Sequence, residues 1–401
     1  MDSTISYHAD IAWMLTATCL VFFMTPGLAF FYGGMVNKKN IISTILQSFI
    51  ALGLVSVLWV VLVFSLAFGD SIGGVIGDPR TFFMFQGVGA ESHPDLSPGL
   101  PLILFAMFQL KFAIITPALI SGAFAERINF NGYLIFVTLF SIFVYAPLAH
   151  MTWHPEGILR QWGILDYAGG TVVHMSAGIA ALAGAISLGR RKSQDTENTI
   201  NIPFVVLGTG MLWFGWFGFN AGSSFGANGE AAMSLATTNT ASAAAMIVWI
   251  LLDLLSGKKV SALNACIGAI IGLVAITPAA GLVNIGHSLI IGMAAPIICR
   301  TVMKYWHKSK IDDSLDVFPS HGVSGMFGMI ATSVFAKEVG LVYGQYETFV
   351  KHLIALVLVS LFVFAISFTL YKITNYITQL RVDVESEEFG LDQSQHNEQL
   401  I

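Results

Sequence analysis

The 401 residues predict an all-α, multi-pass membrane protein: eleven transmembrane helices in two inverted five-helix repeats plus a final helix, with the N-terminus outside and the C-terminus inside. Three observations predict it. The composition is 55% hydrophobic and 11% charged with a mean hydropathy of +0.74, whereas an ordinary soluble domain carries about 25% charged residues. Apolar runs recur at the length of about 20 residues that a bilayer crossing needs. The cationic residues fall mostly on one side of those runs. A β-barrel would alternate apolar and polar residues over about ten positions, and these runs are apolar all round.

Taken in order, the spans run roughly over 10–32, 41–68, 100–125, 131–149, 171–188, 202–220, 231–255, 261–277, 282–299, 321–336 and 350–376. No basic segment or cleavage site precedes the first, so residues 1–10 read as a native tail rather than a signal peptide. Cys19, Cys266 and Cys299 fall inside spans and suggest neither a disulfide framework nor a thiolate zinc site. The Gly- and Ala-rich stretches, as in the fifth and seventh spans, permit close helix approach. Of the 19 Lys and Arg, alternation puts four (Arg80, Arg160, Lys337, Lys351) outside, leaves Lys111 within a span and places the rest inside. The positive-inside rule therefore fixes the orientation.

The fifth span carries "HMSAG" and the tenth "HGVSG", each a few residues after an aspartate, Asp166 and Asp316. A duplicated unit with an odd number of crossings re-enters from the other side, so the repeats, 10–188 and 202–339, are inverted, and their pathway follows the shared interface near the midplane. The whole of 1–380 then forms one membrane domain. The polar segment 381–401 is a cytoplasmic tail, either a docking element or a solvated terminus.

Ten histidines occur, but only His174 and His321 lie inside the two related helices. Intramembrane ionisable residues line pathways, and burial keeps imidazoles neutral, with one donor and one acceptor nitrogen each. The two are expected to converge. A metal site needs three or four ligands, so two histidines in apolar walls fall short of a metalloenzyme centre. Asp166 suits a helix N-terminus and lowers the cost of bringing a cation to the outer mouth; Asp316 is assigned the mirrored part inside. Phe108, Phe112, Trp153, Trp216 and Phe219 crowd the predicted outer ends, where ring faces attract a small cation by about 0.5 to 2 kcal/mol. No phosphate loop or nucleic-acid-binding pattern accompanies them.

With "PGLAFFYGGMVNKKN", "FAIITPALISGAFAERINF", "HMTW", "DYAGGTVVHMSAG", "WFGFNAGS", "AITPAAG" and "DVFPSHGVSGMFG" in order, the chain resembles the Amt/Mep/Rh ammonium transporter family, in its Amt branch, over about residues 10–392. The resemblance implies a homotrimer in the cell membrane with one pathway per protomer, no cofactor and no enzymatic activity. Ammonium or ammonia is the implied substrate and methylammonium an analogue. It further implies that Trp153, Ser223, Phe112 and Phe219 form an outer recruitment site and gate, supported by Gln109 and Asp166. His174 and His321 match the paired pore histidines, Trp216 joins the pore, and Phe31 with Val317 narrow the inner exit. A membrane ammonium sensor signalling through the tail is the alternative. Three positions depart from the family pattern. Lys111 stands beside Phe112, where an uncharged residue is expected, and is left to snorkel outward or to pair with Glu91. "HPEG" follows Trp153 instead of a glycine run. Asn397 replaces a tail glycine, which weakens the expected coupling to a cytoplasmic PII-type regulator.

Overall fold

The computed structural model describes residues 3–192 and 201–400; the basic loop expected between the two repeats, "GRRKSQDTEN", lies partly outside them. Eleven long helical segments follow one another: α1 Ser3–Gly33, α2 Lys38–Phe68, α3 Leu102–Phe124, α4 over 130–153, α5 Gly170–Leu188, α6 Ile202–Gly222, α7 Gly229–Leu255, α8 Ala262–Ala279, α9 Ile285–Trp306, α10 over 318–335 and α11 Tyr346–Ile377. Ten helices among the described residues are long and apolar enough to cross a membrane. The exception is α10, whose "FPSHG" start dilutes its apolar character.

Helix boundaries follow local chemistry. Asn201, Asn228, Ser261 and Asn284 each accept a backbone N–H from the first turn of α6, α7, α8 and α9, satisfying donors that have no partner within the helix. Helix packing then depends on small residues. α1 lies along α6, and a Cβ placed on Gly208 would stand 2.3 Å from the backbone nitrogen of Phe31. α7 packs on α8 and α9, while α11 covers α5. Between α2 and α3, two short hairpins, β1 Ser71–Ile72 with β2 Ile76–Gly77 and β3 Ser92–His93 with β4 Ser97–Pro101, form a cap anchored by Phe64, Phe82 and Phe105.

The tail is docked on the loops at the opposite end. Two short helices, α12 Val384–Phe389 and α13 Leu391–His396, reach across them. Asp392 accepts the N–H groups of Ile42 (3.0 Å) and Ser43 (2.7 Å), Asn40 accepts Leu391 N–H (2.8 Å) and Gln395 accepts Phe130 N–H (2.7 Å). Glu387 pairs with Arg381 at 2.6 Å and also accepts Lys192 N–H. The tail is thus held against loops of its own chain.

Candidate conduction pathway

Both histidines sit on π-helical turns. Gly170–Met175 opens α5 and Phe318–Val323 opens α10, and such wide turns recur at functional sites. A buried carboxylate pegs each turn. Asp166 accepts the N–H groups of Gly169 (2.8 Å), Gly170 (2.6 Å), Thr171 (2.8 Å) and Val172 (3.2 Å). Asp313 accepts those of Val317 (3.0 Å) and Phe318 (2.7 Å). The mirrored carboxylate is therefore Asp313 and not Asp316. Asp316 instead holds His307, whose Nε2 lies 2.8 and 2.9 Å from its carboxylate oxygens.

Charge at these loops is set locally. Burial pushes the Asp166 carboxyl up from the ordinary range, against the pull of its four N–H donors. Burial, together with the neighbouring Asp316, pushes Asp313 up to about 7. The hydrogen bond to Asp316 raises the His307 imidazole above its usual value.

The backbones of α5 and α10 meet where Gly178, one turn past the first π-turn, crosses Gly322 within the second. A Cβ on Gly178 would stand 2.2 Å from Gly322 Cα, so only glycine permits the crossing. His174 and His321 consequently face one another with Nδ1 atoms 3.3 Å apart and rings 20° from parallel. One Nδ1 must donate and the other accept. His174 Nε2 is buried without a protein partner. Trp216 stacks on His174 at 5.3 Å and is itself fixed by an Nε1–H bond to Thr277 Oγ1 (2.8 Å).

Three cavities flank this pair, the second and third sharing the walls Phe31, Ile270 and His321. A vestibule of about 730 Å³ at the hairpin-cap end, the expected outer side, is lined by Gln109, Phe112, Trp153, Asp166 and Ser223. A chamber of about 10 Å³ lies against His174, His321, Trp216, Phe219 and Phe31. An inner cavity of about 190 Å³ is bounded by Phe31, Asp316, Ser320 and His321. Phe112 and Phe219, stacked at 4.1 Å, form the plate between vestibule and chamber, and Phe31 is common to the chamber and the inner cavity.

Most of the expected site residues are brought together here. Trp153 meets Phe112 edge-on at 5.7 Å, and its Nε1–H donates to the Asp166 carbonyl. The Ser223 hydroxyl donates to the Phe219 carbonyl at 2.9 Å, leaving its oxygen free to accept. Gln109 Oε1 is a buried acceptor without a partner. Val317 is placed apart: it is fully buried beside Gly122 and lines neither the chamber nor the inner cavity. Sequence reasoning passed over Thr152, whose buried Oγ1 is likewise unpartnered on the vestibule wall, and Glu230 on the same wall. In "HPEG", His154 stacks on His150 at 4.3 Å and accepts Glu156 N–H. Among the described residues no group of three or more His, Cys, Asp or Glu could hold a metal ion.

The sequence profile of the Ammonium Transporter Family matches residues 12–400. The chain belongs to the ammonium transporter family. It is 43% identical to a putative ammonium transporter of Methanothermobacter thermautotrophicus and 43% identical to an ammonium transporter of Bacillus subtilis, with 97% of each chain covered in both cases. Among solved structures it is similar to Saccharomyces cerevisiae Mep2, with a TM-score of 0.87, 32% identity and 94% and 88% of the two chains covered. It is also similar to a sensor Amt protein, with a TM-score of 0.89, 28% identity and 98% and 99% covered. In this family member, a multi-pass helical membrane protein, the aromatic plate stands between the vestibule and the chamber that holds the paired histidines.

Proposed function

We propose that the protein transports ammonium across the cell membrane: NH4+ is held in the outer vestibule, loses a proton there, and NH3 crosses the apolar chamber along His174 and His321. The observation that carries this reading is the Nδ1 to Nδ1 contact of two imidazoles in a chamber otherwise walled by Phe, Trp and aliphatic side chains. Burying an ion without compensating bonds costs far more than burying a neutral amine, so a chamber of this size and polarity discriminates by charge. Ammonium and potassium are close in size, but only ammonium can shed a proton.

Each residue has a distinct part. Trp153 and Phe112 offer ring faces to the cation, while the Ser223 oxygen and Gln109 Oε1 accept N–H bonds that water gives up. Asp166 holds the start of α5 and supplies negative potential beneath the site. In the chamber, His174 Nε2 offers the amine a polar contact, and the Nδ1 bond gives the released proton a path from ring to ring. Phe31 narrows the exit. The eleven helices form two inverted repeats, N-terminus outside, and three copies associate, each with its own pathway. The docked tail supports regulation from the cytoplasmic side, with a PII-type protein as the candidate partner despite Asn397 at the tail-glycine position.

Purified protein in liposomes on a charged membrane tests this. Ammonium is expected to evoke a current if net charge crosses, and a lumenal pH change without current if only NH3 does; absence of both overturns the transport reading. Saturable ammonium binding without either signal would instead favour the sensor alternative, for which the docked tail would be the output.

A further inference from the structure

Among the described residues, Lys111 is the charged side chain that lies in the middle of a membrane-spanning helix, midway along the 19-residue run Leu102–Ile120 of α3. Other charges in spans, such as Glu230, Asp253, Arg300 and Lys372, lie within about two turns of a helix end. Lys111 is only 9% exposed. It makes no ion pair with any described residue and does not reach Glu91, whereas Arg191, Arg300 and Arg381 each hold a carboxylate within 2.8 Å. Its Nζ stands 5.2 Å from the centre of the Phe22 ring on α1. That ring face favours the charged amine, and Phe22 and Cys19 lie on the exposed face of α1. A charge kept in a membrane without a counter-ion calls for a use.

Its neighbour in sequence is Phe112, one half of the aromatic plate. One residue step and the reach of a lysine side chain put the ammonium about 12 Å from that plate. At an effective dielectric constant of about 20, a unit charge at that distance changes the occupancy of a second cation about tenfold. Mobile salt is excluded from the surrounding hydrocarbon and screens the effect little. A neutral amine is not subject to it.

We propose that Lys111 is a specificity-determining residue: its uncompensated ammonium places a positive potential on the Phe112–Phe219 plate, so that a small monovalent cation is turned back there while the neutral amine passes. The inference rests on the transport reading for its purpose, but the potential itself acts on any cation at the outer site. It therefore has a test in binding as well as in flux.

Binding of radiolabelled methylammonium to the purified protein, and its displacement by potassium, is compared for wild type, Lys111→Met and Lys111→Arg, with flux of both ions measured in liposomes. The Met variant is expected to bind methylammonium about tenfold more tightly and to be displaced by about tenfold less potassium, and its liposomes are expected to admit more potassium. The Arg variant is expected to match wild type. Wild-type binding in the Met variant overturns the proposal, and so does an Arg variant that behaves like Met. A Met variant that only loses its association with other copies, with cation binding unchanged, assigns the lysine to a subunit contact and also overturns it. If wild type binds methylammonium but moves none, the transport reading fails while the binding comparison still decides the role of Lys111.

Discussion

At the residue scale, His174 is wedged between Trp216 and His321, so its ring plane is fixed and its Nε2 stays on the chamber wall. His174→Ala replaces a polar edge with empty apolar space and is expected to abolish discrimination against potassium, read as potassium current in liposomes that wild type does not show. Asp166→Asn keeps the shape but leaves one acceptor oxygen for four N–H donors; each orphaned donor costs about 1 to 3 kcal/mol, so a lower melting temperature and loss of flux are expected together. His307 reports on the inner mouth. Its folded-state pKa is raised by Asp316, so the contact stabilises fully below the ordinary histidine value of about 6.5 and fades as pH rises through the higher folded value. An NMR titration is expected to place His307 above about 6.5, and Asp316→Asn to bring it back down. The paired histidines and the aromatic residues around them were legible in the sequence because polar or bulky side chains stand out in apolar spans. Asp313 was not, because Asp316 sits closer to the "HGVSG" motif. The available signal was spacing: Asp313 precedes His321 by the same interval of eight residues by which Asp166 precedes His174.

At the scale of single helices, the site depends on backbone more than on side chains. The π-turns rotate His174 and His321 out of ordinary helical register, and the contact of Gly178 with Gly322 sets how near they come. Gly178→Ala is expected to cost about 1 to 3 kcal/mol through overpacking and to weaken potassium discrimination by separating the imidazoles. A melting curve and a paired flux assay check both parts. The spans themselves were readable from apolar length, with α10 the instructive case: its helix was anticipated, yet Pro319, Ser320, His321 and the glycines leave it outside the set that apolarity alone identifies. The π-turns were invisible to periodicity, since one added residue alters the pattern over a single turn only.

For the whole molecule, the tail straps together loops far apart in sequence. Asp392 caps the start of α2, Gln395 holds the start of α4, and Glu387 joins Arg381 to the backbone of Lys192. Asp392→Ala removes two backbone acceptors and is expected to lower stability by about 1 kcal/mol, with faster proteolysis after Ile377 as the readout. From the sequence, the tail's polarity allowed both docking and solvation, because the partners that decide between them lie in loops hundreds of residues upstream.

The chamber between Phe219 and Phe31 has one further consequence. Its volume of about 10 Å³ approaches the minimum that one water requires, so two travellers cannot pass each other inside. On the proposed pathway movement is then single file, and tracer leaving must wait on tracer arriving. Ammonium added to the far side should therefore slow labelled uptake even when the net gradient still points inward.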